Sequence, residues 1–131
     1  MYDEIFLAVK ALATAQASPY TAIIHGAMPQ TDGLAMYAGP GSEDEAYLDR
    51  GGTYSFDAVL NGKHSNRQTV VTAMSNIHMA LARRNEYPKG EGWEITRIRT
   101  TTSPNFIEQE SSTGQWLYGS VLEIEFYVKG V

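Results

Sequence analysis

The run Trp116–Lys129 constrains the fold most tightly. Trp116, Tyr118, Leu122, Ile124, Phe126 and Val128 fall on one side of an extended chain, and Glu123, Glu125, Tyr127 and Lys129 on the other. A long strand patterned this way needs a cover on its apolar side and water on its polar side, as in an antiparallel sheet covered on one face. The stretch Thr53–Asn61 repeats the pattern, with Tyr54, Phe56, Ala58 and Leu60 against Thr53, Ser55, Asp57 and Asn61. Asn61-Gly62 is a turn dipeptide and is expected to end that strand.

The cover comes from two helical periods. In Ser65–Glu86, Val70, Met74, Ile77 and Leu81 recur at helical spacing beside Ala73 and Ala80, while Asn66, Arg67, Ser75, Asn76 and Arg83 fall mostly opposite. Ser65 and Gln68 have capping-box spacing, and Pro88 predicts an end near Tyr87. A first helix is expected over Met1–Gln16, with Asp3 and Glu4 in its first turn, Ile5, Val9 and Leu12 inward, and Ser18-Pro19 as its stop. Tyr20–His25 and Leu34–Ala38 read as two short strands, a hairpin by their closeness. Lys89–Gly92 reads as a loop. Trp93–Thr101 is a strand on Trp93, Ile95 and Ile98 whose alternation slips once, a bulge signal. Thr102–Gly114, with Pro104, reads as a short strand or bend and then a hairpin turn. The expected fold is α+β: a mainly antiparallel sheet of about five strands, two helices packed on one face, a single domain over residues 1–131.

Composition narrows function by exclusion. A chain of 131 residues, 43% hydrophobic, can bury a core, and with no cysteine it has neither disulfides, thiolate metal ligands nor a cysteine nucleophile. Asp3 and Glu4 stand where a leader would carry basic residues, and Ile5–Val9 is too short for a signal core or a membrane span, so synthesis in the cytoplasm without membrane insertion is expected. A net charge of -5 argues against gripping nucleic acid, though not against DNA passing nearby.

No motif for catalysis, cofactor or metal emerges. His25, His64 and His78 have no metal-ligand neighbour at useful spacing, and a G-x-S-x-G nucleophile elbow is absent. Gly39–Gly52 concentrates four glycines, a proline and the acids Glu43, Asp44, Glu45 and Asp49 against the single Arg50; it reads as an exposed loop. Its Gly39-Pro40-Gly41 lacks a phosphate-loop lysine, and its acids do not have EF-hand spacing. Glu123 and Glu125 lie about 7 Å apart on one strand face, within reach of paired-carboxylate chemistry, which a solvated polar face explains equally well. That face, with Arg97, Arg99, Glu123, Glu125, Tyr127 and Lys129, mixes both charge signs with an aromatic and suits a specific protein contact.

The segments L-N-G-K-H at 60–64, the helix after it, T-S-P-N-F-I at 102–107 and W-L-Y-G-S-V-L-E-I-E-F-Y-V at 116–128 resemble the phage minor capsid proteins that belong with the tail terminators, or tail-completion proteins, of long-tailed bacteriophages. The resemblance is carried mainly by the chain from Thr53 onward. It implies a structural protein of the virion, without catalytic residues. Copies would form a ring, a hexamer on the tail, that caps the tube of major tail tube protein, stops its growth and presents a surface to a head-completion protein. DNA would pass through the ring without specific binding. On that reading Glu43, Asp44, Glu45 and Asp49 line the inner rim or meet the tube, and Arg97 or Arg99 joins subunits. A head-to-tail connector of the neck is the alternative within the class. A small-ligand domain or enzyme built on Glu123, Glu125 and a histidine is the alternative outside it.

Overall fold

The computed structural model describes residues 2–28, 31–39, 51–82 and 84–129. In chain order these form α1 (Tyr2–Ala17), β1 (Ile23–His25), β2 (Gly33–Ala38), β3 (Gly52–His64), α2 (Arg67–Ala82), β4 (Lys89–Gly90), β5 (Trp93–Gln109) and β6 (Trp116–Val128). The strands make one sheet in the order β1-β2-β3-β6-β5-β4, with β3, β6 and β5 as its long centre. Both helices lie over its apolar face. There Leu34, Met36, Phe56, Leu60, Ile95, Ile98, Leu122, Ile124 and Phe126 meet Ile5, Phe6 and Val9 of α1 and Val70, Met74, Ile77 and Leu81 of α2 in one core.

The α+β class, the one-sided cover and the mainly antiparallel pairing agree with the sequence pattern. The sheet has six strands where about five were expected, since Lys89–Gly90 pairs with Trp93 and Glu94 instead of forming only a loop. β1 and β2 pair in parallel, Ile23 opposite Leu34 and His25 opposite Met36, and so are not a hairpin. A three-residue strand is only about 10 Å long, so the connection after His25 can double back without a helix.

Four local expectations give way to what surrounds them. Asn61-Gly62 does not end β3, which runs on to His64 with Gly62 opposite both Leu34 and Tyr118. Gly62 sits under α2: a Cβ there would come within 2.7 Å of Val70 Cγ2 and 2.8 Å of Met74 Sδ, so this glycine admits a helix rather than a turn. Pro104 does not break the chain into two strands. β5 continues through it by shifting register between Thr102 and Asn105, at a sheet edge where, among the described residues, no outer strand needs the missing N–H. The slip near Ile95 is a bulge, as its alternation predicts, with the register shift falling between Ile95 and Arg97. The cap of α2 is Asn66, whose Oδ1 accepts the Thr69 N–H at 3.2 Å, one residue later than the Ser65–Gln68 box. The helix closes at Ala82, and Tyr87 turns back to donate its hydroxyl to the Leu81 carbonyl.

Candidate functional site

Strand register sorts the face away from the helices into rows. Asp57, Glu123 and Arg99 form one row and Ser55, Glu125 and Arg97 the next. Arg99 Nη2 donates to Glu123 Oε1 at 3.1 Å, and Thr96 Oγ1 donates to Glu125 Oε1 at 2.9 Å. The structure therefore brings the sequence-selected Arg97 and Arg99 together with Glu123 and Glu125 on one exposed surface. Each of these carboxylates has a partner within the chain, an arrangement of a structured polar face more than of an acid and base awaiting substrate. Glu43, Asp44, Glu45 and Asp49 lie outside the described residues.

The opposite end of this face carries no charge in its rows. One row holds Tyr37, Val59, Val121 and Thr102, and the neighbouring row Ile24, Ala35, Asn61, Gly119 and Asn105, so apolar side chains alternate there with a hydroxyl and two amides. Ile24 and Tyr37 stay exposed there, and Ile107, 50% exposed, lies against the place where Gly119 lacks a side chain. Alternation marks which residues face outward, but which of them become neighbours depends on register.

A second feature was invisible in the sequence. β4 covers only the start of β5, so among the described residues β5 from Thr96 to Gln109 has no strand on its outer side. Two open grooves follow this edge between β5 and the flank of α2, joined through their shared residues Ala82 and Thr100. Arg84, Arg97 and Arg99 mark one end; Met79, Ser103 and Pro104 mark the other. Met79 is 58% exposed. Past the groove, Phe106 and Ile107 continue the edge as exposed apolar residues, with Phe106 ring-to-ring against Trp116 and Tyr118. An unpaired strand flanked by a helix offers backbone hydrogen bonds and side-chain pockets together, a combination suited to an extended chain segment.

The histidines take structural positions. His25 stacks on Phe6 with ring centroids 4.3 Å apart. His64 Nδ1 accepts the Asn66 N–H at 2.8 Å, which leaves Nε2 carrying the proton toward Asp32 Oδ2 at 3.4 Å. His78 is buried, with Nδ1 2.8 Å from Thr100 Oγ1 and Nε2 2.8 Å from Ser120 Oγ. Ser120 spends its own proton on the Leu60 carbonyl, so Nε2–H donates to Ser120 and Thr100 donates to Nδ1. Burial lowers the pKa of His78 to about 4, and it stays a neutral linker.

One further polar cluster ties the sheet end to the β5–β6 turn. Lys63, 7% exposed, pairs with Glu110, whose carboxyl is held below its usual range chiefly by the hydrogen bond from Lys63. Asp32 Oδ1 accepts from the Ser65 N–H and from Gln115 Nε2. Tyr20 donates to the carbonyls of Gly33 and Lys63, and burial pushes its hydroxyl up to about 12. Among the described residues no group of three or more His, Asp or Glu side chains is placed to hold a metal ion.

No protein family profile matches the chain, and no curated protein sequence matches it. Its fold is similar to that of a chain in the virion of a native gene transfer agent particle, with a TM-score of 0.58 at 13% identity. The likeness covers 94% of this chain and 97% of the other, so the shared fold is the whole unit and not a fragment of it. No helix is long and apolar enough to cross a membrane among the described residues.

Proposed function

We propose that this chain is a structural protein of a phage-like virion and acts as a tail terminator. Copies close into a ring, six on the tail by the family resemblance, that caps the tail tube and stops addition of tube protein. The ring also offers a surface to a head-completion protein, and DNA passes through it. The observation that carries this reading is the end-to-end likeness to a chain of a gene transfer agent virion. It joins the resemblance borne by residues 60–64, 102–107 and 116–128. The long open edge of β5 and the mixed-charge rows give a small domain several surfaces for neighbours. A net charge of -5 suits a passage through which phosphates slide without sticking. The chain is read as acting by assembly, not catalysis.

The test is electron microscopy of particles whose gene for this chain carries a stop at Gln68. Overlong headless tubes are expected. Tubes of normal length that fail to join heads would assign the chain to the neck as a connector instead. Normal infectious particles would remove it from assembly altogether.

A further inference from the structure

The open β5 edge changes character along its length, and the change dictates what can lie there. Arg84, Arg97 and Arg99 line the first part of the groove, and no acidic side chain among the described residues joins that wall. Arg99 is held by Glu123, whereas Arg97 has no ion-pair partner among the described residues. Past Thr100 the wall loses its charge: Met79, Ser103 and Pro104 follow, then Phe106, 53% exposed, and Ile107. By strand rise, Phe106 lies about 20 Å along β5 from Arg99, the span of about six extended residues.

We propose that this edge binds an extended acidic segment of a partner protein, one that carries large apolar residues beyond its acids. A basic segment would be repelled at Arg97 and an acidic one attracted. Charge alone would also admit phosphates, but the open edge presents both N–H and C=O groups. A phosphate only accepts and would leave the carbonyls unmatched, whereas an added strand pairs with both. Register then sets the pattern of the segment. β5 is regular over Arg97–Thr100, between the shifts at Ile95/Arg97 and Thr100/Thr102, so backbone pairing is confined to that window. In an added strand every second side chain lies on the outer face beside Arg97 and Arg99, and those between lie on the helix side, over Ala82 and Met79. Across the window the segment therefore runs acid, apolar, acid. Pro104 has no N–H to donate, so beyond it the segment is held by apolar side chains against Phe106 and Ile107. The contact depends neither on ring closure nor on tail termination.

The test selects peptides of about nine residues, long enough to span Arg97 to Phe106, from a random displayed library on the immobilised full chain. An enriched peptide is then titrated into isotope-labelled protein. The expected peptides carry acids two apart with an apolar residue between them, followed by large apolar residues. Their saturable amide shifts should fall on Thr96–Ile107 and on the Ser75–Ala82 flank. Affinity should fall about tenfold or more with Arg97→Glu, and Phe106→Ala should weaken binding while leaving the acid preference intact. No enrichment, peptides without acids, shifts elsewhere, or unchanged affinity for Arg97→Glu with a folded spectrum would overturn the proposal. So would equal competition by a short DNA duplex, which would give the arginines to phosphate. Shifts of the same amides on concentrating the chain alone would likewise overturn it, by giving the edge to a second copy.

Discussion

At the residue scale, two side-chain positions are set so tightly that their replacement has a defined outcome. His78 is neutral between Thr100 and Ser120, with its pKa at about 4 in the folded chain against an ordinary 6.5. Between those values the unfolded chain binds more protons, so stability is complete above the unfolded value and drains away as pH falls toward the folded one. Urea unfolding should lose on the order of 1–2 kcal/mol between pH 7 and pH 5 from this group. His78→Leu should be less stable at pH 7 yet largely lack that slope; an unchanged slope would mean that another group carries it. Glu110 adds its own loss at lower pH, since Lys63 holds its carboxyl below the ordinary range and the stabilisation goes only as pH falls through that lowered value. Gly62→Ala places a methyl against Val70, which is stiff at χ1, and Met74, which can move. Thermal or urea unfolding should show a loss of roughly 1–3 kcal/mol. A neutral outcome would show that α2 stands farther from β3 than described.

At the scale of the element, the start of α2 separates two cap assignments one residue apart. Asn66→Ala should cost about 1 kcal/mol, whereas Ser65→Ala should stay within about 0.5 kcal/mol, because the Thr69 N–H is accepted by Asn66. The reverse order in urea unfolding would restore the earlier cap. Elements whose side chains alternate or recur over many residues were legible in the sequence: β6, the body of β3, both helices, and even the bulge after Ile95. What escaped was set by partners distant in sequence. Gly62 looks like a turn until α2 is laid over it, and Pro104 looks like a break until β5 is known to be an edge. Parallel pairing of β1 with β2 leaves no mark on either strand's pattern, because each is too short to show one. The same holds for the candidate site. Arg97 and Arg99 were legible as outward-facing residues, but the groove beside them exists only because β4 is two residues long and α2 ends where it does.

At the scale of the whole molecule, the sheet divides the work. Its apolar face is consumed by the two helices, its outer face is split between paired charges and an uncharged end of mixed apolar and amide side chains, and among the described residues one long edge stays open. A domain with three such dissimilar surfaces can meet a like neighbour, a tube end and a head protein without using one surface twice. This organisation gives the proposed termination its physical content: a tube end stops growing when the bonding surface for the next tube subunit is occupied by a ring that does not repeat it. The most direct measurement adds the purified chain to major tail tube protein polymerising in vitro and takes tube lengths by electron microscopy. The account predicts that tubes stop at lengths that shorten as more of the chain is supplied, each ending in a ring. Tubes that elongate alike with and without the chain, with bare ends, would contradict it.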